Sequence, residues 1–297
     1  MKSPPRLSQC AVAVGRFAPS PTGPLHTGSL CAALASYLEV RQYGGRWLVR
    51  IEDIDPPRES PGAHLQILAQ LTAHGLHWDG KVLYQSQRLA HYREIAAGLI
   101  AAGDAYQCSC TRSRLKQLPH SHYDGYCRHH PADPNQPAAI RLKLRNRGVC
   151  KFDDLFLGKQ QQCVAEQVGD FPIWRRDGLV SYQLAVVVDD FSQGVTTVVR
   201  GADLLDNSGR QILLQKMLGY PTPRYGHIPV ALDSSGQKLS KQNHAPCLPA
   251  GEESQSLCAA LRHLGLSPDA QLANQSPEQI VEWALSAWRH HTNPIDK

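Results

Sequence analysis

The 297-residue chain lacks any long apolar run. Its longest, Leu30 to Ala35, falls far short of the ~20 residues that cross a bilayer as a helix. A secretory signal is missing as well, because Cys10 to Val14 is too short for its apolar core and Arg16 closes it. These absences predict a cytoplasmic protein with no membrane partner. There is no tail of like charge, no internal repeat and no collagen-type period. With 42% apolar and 19% charged residues, the profile is globular, not disordered. A disulfide framework is missing too: the nine cysteines are odd in number and scattered, which fits a reduced compartment. Only Cys108, Cys110 and Cys127 cluster.

Two familiar nucleotide signatures are also absent. No G-K-[ST] follows a glycine-rich turn, and no G-x-G-x-x-G opens a helix, so neither a Walker loop nor a dinucleotide fingerprint is present. What is there is a charge concentration. The net charge of +5 hides a segment, residues 111–151, with nine Lys/Arg against two Asp, a local +7 that leaves the remainder at −2. Four histidines share that segment. Such a surface suits a polyanion, nucleic acid first, although a solvated basic face has the same composition.

Residues 11–17 (AVAVGRF) predict a short buried strand, and the X-Pro steps of APSPTGPLHTG keep the following turn out of helix. Apolar residues at 30, 33, 34, 37 and 38 predict a helix over 29–43, stopped by Gly44-Gly45. WLVRI at 47–51 predicts a second strand. The result is a β-α-β unit with parallel strands, the opening of a Rossmann-like α/β fold. Helices are expected over 61–75 and 88–102. From 108 to about 165 the chain reads as an insertion in which IRLKLR (140–145) alternates like a strand. Beyond it, LAVVVDD and TTVVRG are expected as buried strands, Asn207-Ser208 as a cap, RQILLQKML as a helix, HIPVAL as a strand, and DSSG as a turn before KLSKQ. Short helices are expected over 253–264 and 277–289.

Three groups of residues point to chemistry. The strand-turn-helix at 14–30 brings His26, Gly28 and a helix N-terminus together, an arrangement suited to an anion, although a lone His there is more often a cap. Lys238 and Lys241, in KLSK, are spaced to bring ammonium groups to a triphosphate, although solvent-facing lysines are common. Cys108-x-Cys110 with Cys127 offers three thiolates and needs a fourth ligand for a tetrahedral zinc site. On chemistry alone His120, His122, His129 and His130 are commoner choices than Tyr123.

The pairing of the first two groups changes their weight. RFAPSPTGPLHTGSL, RIEDID at 50–55, VVDD at 187–190, VRGADLL at 199–205 and KLSK at 238–241 together resemble class I aminoacyl-tRNA synthetases, more narrowly their glutamyl branch. The resemblance runs from about residue 14 to 245. It departs in two places: Ser29 stands where the signature has a second His, and Gln242 where Ser is commoner. It implies a class I catalytic domain in two halves, 1–107 and 166–245, separated by a zinc-binding insertion at 108–165 and followed by a short helical region at 246–297. It also implies ATP with Mg2+ and L-glutamate as substrates.

Glutamate brings two carboxylates and an ammonium. The family pattern assigns Arg16 and Arg200 to the former, Glu52 to the latter and Tyr182 to a carboxylate oxygen, with Phe17, Ala18, Pro19 and Ser20 lining the pocket. For ATP it implies His26, Gly28, Ser29, Lys238, Ser240 and Lys241, with His26 and Lys241 stabilising charge at the phosphates. A short glutamyl-synthetase-like family carries C-x-C…Y-x3-C, and YDGYC resembles its last two ligands, which implies Tyr123 as the fourth ligand of one structural zinc. Only 55 residues follow Gln242, where a full glutamyl-tRNA synthetase carries a large helical anticodon-binding region. That shortness, with KLSKQNHAP, resembles the paralogues that attach glutamate to the queuosine base in the anticodon of tRNA(Asp). The expected form is a monomer. A truncated synthetase charging a tRNA 3′ end and a non-catalytic, zinc-stabilised RNA-binding protein are the alternatives.

Overall fold

The computed structural model describes residues 12–118, 122–133, 135–146, 148–230 and 247–289. β1 (Val14–Phe17), α1 (Thr27–Arg41) and β2 (Arg46–Ile51) form the expected unit, with β1 and β2 parallel and Val14 facing Arg46 through Phe17 facing Val49. Gly15 lets helix and strand close up, since a Cβ there would lie 2.7 Å from Val40 Cγ1. α2 (Ala63–Ala73), β3 (Leu83–Tyr84) and α3 (Leu89–Ala101) follow, β3 extending the sheet in parallel beside β2.

The chain then leaves this layer. β4 (Ala105–Cys108) leads into α4 (Arg112–Lys116), and β5 (Ala139–Leu142) and the later β8 (Pro172–Trp174) join β4 in a three-stranded antiparallel sheet. Between them lies an antiparallel hairpin of β6 (Val149–Asp154) and β7 (Gly158–Cys163), then the single turn α5 (Val164–Gln167). The segment expected as an insertion therefore has two parts. Its first part contributes β5 to the sheet with β4 and β8, whereas the β6–β7 hairpin joins a second sheet with strands from later in the chain.

α6 (Tyr182–Ser192), β9 (Thr197–Gly201), α7 (Leu205–Leu218) and β10 (Arg224–Ile228) complete the α/β portion. β10 pairs in parallel with β9 on one side and β6 on the other, giving the order β7-β6-β10-β9. Thr196 N donates to Val14 O at 2.9 Å, which links this sheet to β1. α8 (Glu253–His263) and α9 (Pro277–Trp288) match the two expected C-terminal helices. They are not a separate unit: Leu257, Leu261, Ile280, Ala284 and Trp288 share one core with Leu30, Leu34, Leu38 and Trp47. No helix of the described residues is long and apolar enough to cross a membrane.

Two expectations are corrected. LAVVVDD is not a strand but most of α6, in which every residue from Gln183 to Asp190 is buried. A helix buried on nearly every side, its polar residues included, shows no clean apolar stripe facing a polar one, and its β-branched run reads like a buried strand. Asn207-Ser208 is not a cap either. The short 3-10 turn Ala202–Leu204 makes Leu204 the N-cap and moves both residues into the first turn of α7. There they bond inward, Asn207 Oδ1 to Gln183 Nε2 at 2.6 Å and Ser208 Oγ to Arg200 Nη2 at 2.8 Å. The DSSG turn lies outside the described residues.

Candidate active site and metal centre

A cavity of about 340 Å3 opens where β1, β9 and β10 meet the N-terminus of α1. Its lining draws on both halves of the chain: Arg16, Phe17, Ala18, Pro19, Ser20, His26, Gly28 and Ser29 from the first, Tyr182 and Arg200 from the second. Ten of the residues that sequence reasoning singled out thus line one cavity. Glu52 is not among them. It lines an adjoining cavity of about 300 Å3, which shares Ser20 and Tyr182 with the first. Glu52 N donates to Pro19 O at 3.0 Å, so the proline-rich turn fixes where this carboxylate stands. Phe17 stacks on Trp47, which anchors the strand end beneath the cavity.

His26 is the N-cap of α1. Its Nδ1 accepts from Ser29 N at 3.3 Å, so its proton resides on Nε2. Capping and anion binding are compatible here, because the cap uses one ring nitrogen. Lys238, Ser240 and Lys241 lie outside the described residues. The positions flanking their segment both reach the site: Val230 lines the cavity, and Cys247 forms an antiparallel bridge with His26.

Beneath the cavity lies a buried charge network that the sequence did not reveal. Asp190 Oδ1 is 3.2 Å from Arg16 Nε and 2.8 Å from Arg50 Nη1, and Arg50 Nη2 donates to Glu52 Oε1 at 3.4 Å. The neighbouring Asp189 points the other way, accepting from Gln85 Nε2, Arg88 Nε and the Tyr92 hydroxyl at 2.8, 2.6 and 2.7 Å. Burial pushes the Glu52 carboxyl up to about 7, and the Arg50 and Arg16 charges do not offset it because Asp190 and Asp189 stand close by. For Asp190 the two guanidiniums outweigh burial and hold its carboxyl below the usual range. Glu52 is therefore a buried carboxylate whose charge its protein neighbours leave only partly compensated.

Arg200 is set from behind. Its Nε donates to His227 Nε2 at 3.0 Å, Nη1 to Gln211 Oε1 at 2.8 Å and to the Tyr182 hydroxyl at 3.4 Å, and Nη2 to Ser208 Oγ at 2.8 Å.

Near β4, the sulfurs of Cys108, Cys110 and Cys127 lie within 4.8 Å of one another. The Tyr123 hydroxyl approaches Cys108 Sγ to 3.4 Å and Cys110 Sγ to 3.9 Å, so three thiols and a phenol converge as a four-coordinate site requires. Arg141 Nε donates to Cys108 Sγ at 3.3 Å, Arg114 Nη1 lies 3.6 Å from Cys110 Sγ, and the Arg141 guanidinium covers the Tyr123 ring. These cations suit a cluster carrying thiolate charge. No histidine of the described residues joins this group, and two of the candidates bond elsewhere, His122 Nδ1 with Glu166 O and His130 with the Tyr126 carbonyl and ring. His120 lies outside the described residues. Three arginines of the basic segment are ion-paired, Arg114 with Asp124, Arg128 with Asp170 and Arg145 with Asp104. Arg112, Lys116 and Arg141 instead line, with Arg210, a cavity of about 400 Å3 that contains no acidic residue.

A family model described as tRNA synthetases class I (E and Q), catalytic domain, matches residues 12–282. A protein of Thiobacillus denitrificans (strain ATCC 25259 / T1), named Glutamyl-Q tRNA(Asp) synthetase, is 51% identical over 290 residues, covering 96% of this chain and 96% of its own length. Its namesake in Escherichia coli (strain K12) is 52% identical over 280 residues, 93% of this chain and 89% of that one. Among solved structures, a glutamate tRNA ligase from Elizabethkingia meningosepticum CCUG26117 in complex with its amino acid superposes with a TM-score of 0.77 at 25% identity. That match covers 92% of this chain and 64% of the ligase, so the chain spans just under two thirds of its length. The chain belongs to the class I tRNA synthetase (E and Q) catalytic-domain family, in its glutamyl-Q tRNA(Asp) synthetase branch.

Proposed function

We propose that the protein activates L-glutamate with ATP and transfers it to the queuosine base in the anticodon of tRNA(Asp). The observation that carries this reading is the single cavity in which Arg16 and the N-terminus of α1, from one half of the chain, face Tyr182 and Arg200 from the other. In the first step a carboxylate oxygen of glutamate attacks the α-phosphate of ATP, giving glutamyl-adenylate and pyrophosphate. In the second, a hydroxyl of the cyclopentene ring attacks the activated carbonyl and AMP leaves. No side chain forms a covalent bond, so the protein contributes positioning and charge. Arg16 and Arg200 take the two carboxylates, Tyr182 donates to a carboxylate oxygen, and Glu52 accepts the ammonium. His26, Gly28, Ser29 and the N-terminus of α1 meet the phosphates, with Lys238, Ser240 and Lys241 closing on them. Magnesium accompanies ATP on its phosphates. Glutamate-dependent exchange of pyrophosphate into ATP tests the first step. Exchange with glutamate but not with glutamine or aspartate supports it, and no exchange in the metal-loaded protein refutes it.

Cys108, Cys110, Tyr123 and Cys127 would hold one zinc ion, whose contribution is to tie β4 to the loop at 122–128, not to activate water. The Arg112, Lys116 and Arg210 groove beside it is the face that meets tRNA, with binding that weakens as salt rises. Cys110→Ser should lower bound zinc from about one per chain to a small fraction and reduce the melting midpoint by roughly 5–10 °C. Metal analysis and thermal melts check this, and a variant retaining full zinc would contradict the assignment.

A further inference from the structure

Behind Arg200 lies a side-chain chain that the two-step chemistry does not use. His227 on β10 is fully buried, and its Nδ1 is 2.5 Å from Asp154 Oδ2 on β6. The other carboxylate oxygen, Asp154 Oδ1, is occupied by three backbone donors: Phe156 N at 3.0 Å, Leu157 N at 3.1 Å and His227 N at 3.0 Å. An ionised carboxylate only accepts, so the proton between the two residues belongs to Nδ1. The opposite nitrogen, Nε2, therefore presents a lone pair, into which Arg200 Nε donates at 3.0 Å; Ser208 Oγ stands 3.1 Å away. A guanidinium cannot accept. A proton on Nε2 would set two donors against each other in a site closed to water.

We propose that Asp154 and His227 are positioning residues that fix the tautomer behind Arg200 and so hold its guanidinium in register for a substrate carboxylate. The inference rests on the reading of Arg200 as a glutamate ligand. Burial, aided by the Arg200 and Arg16 charges, keeps His227 below its ordinary pKa despite Asp154, which agrees with a neutral imidazole. Burial opposes ionisation of Asp154, but the hydrogen bonds from His227 and the backbone outweigh it. The Tyr225 ring stacks beside the imidazole, and Gln211 bonds Arg200 Nη1 from α7, so polar and aromatic neighbours leave the guanidinium little freedom.

Asp154→Asn is the direct test, because it keeps the shape and reverses one donor. The three backbone N–H groups compel the asparagine oxygen to take the Oδ1 position, leaving its amide NH2 to donate to Nδ1 and moving the imidazole proton to Nε2. Glutamate KM in pyrophosphate exchange should rise about tenfold or more, while ATP KM stays within about twofold. The 15N spectrum of the histidine ring should show the exchanged tautomer. His227→Leu should give the same KM split, and His227→Gln, which restores an acceptor facing Arg200, should recover most of that loss. Arg200→Ala serves as the reference. If it raises glutamate KM while Asp154→Asn and His227→Leu do not, or if ATP KM rises in parallel in those two, the positioning role is overturned and the glutamate reading stands. If Arg200→Ala leaves glutamate KM unchanged, both are overturned.

Discussion

Glu52→Gln should raise glutamate KM by roughly 30-fold or more and flatten its dependence on pH. The magnitude follows from removing the charged partner of a buried ammonium, a change of about 2–5 kcal/mol at 1.4 kcal/mol per tenfold. The pH dependence follows from burial, which raises the carboxyl from 4.5 to about 7 in the free protein. The ionised form binds the ammonium, so in the parent kcat/KM for glutamate should climb as pH rises toward about 7 and level off above it. The same shift has a stability consequence of known sign. A carboxyl whose folded-state pKa is raised holds its proton more tightly when folded, so the folded state loses stability as pH rises from 4.5 to about 7. Glutamine cannot ionise. The variant should therefore melt with the parent near pH 4.5 and above it beyond pH 7, while activating glutamate poorly throughout. Loss of activity without that gain in stability would mean that the buried charge is compensated within the protein.

Asp190→Ala should remove about 3–5 kcal/mol of stability, because it leaves the Arg16 and Arg50 guanidiniums buried without the carboxylate that both contact. Arg50 is completely inaccessible and Arg16 is 3% exposed, so solvent cannot take the place of the lost partner. A fall in melting midpoint of roughly 10 °C is expected. Where enough folded protein remains, glutamate activation should fall as well, since Asp190 holds the Nε side of Arg16 at the cavity edge. Asp190→Asn keeps an acceptor oxygen and should lose less. Thermal melts of both variants decide the matter: an alanine variant within about 2 °C of the parent would show that the two arginines find other partners.

Much of the fold was legible in local patterns. The unit from β1 to β2 combines a run of apolar residues, an X-Pro turn, a helical stripe and a Gly-Gly stop, each acting over a few residues. α6 was not legible, because burial on every side erases the stripe that marks a surface helix, and the valines at 186–188 bias the reading toward strand. The motif residues on β1, the turn and β9 do gather at one cavity, as the resemblance implied. Their supports were hidden. Asp190 is 174 residues from Arg16, and Asp154 is 73 from His227, so nothing local in the sequence marks either pair. In the basic segment composition shows only the sum of charge, whereas Asp104, Asp124 and Asp170 pair with three of its arginines in the fold.

The acceptor is tested most directly by incubating the zinc-loaded protein with labelled glutamate, ATP and queuosine-containing tRNA(Asp) whose 3′ end has been oxidised, then mapping the labelled nucleotide. Label at the queuosine position, lost when guanine replaces queuosine, is the expected result. Label that vanishes on oxidation of the 3′ end would instead identify an enzyme charging the tRNA terminus and contradict transfer to the anticodon.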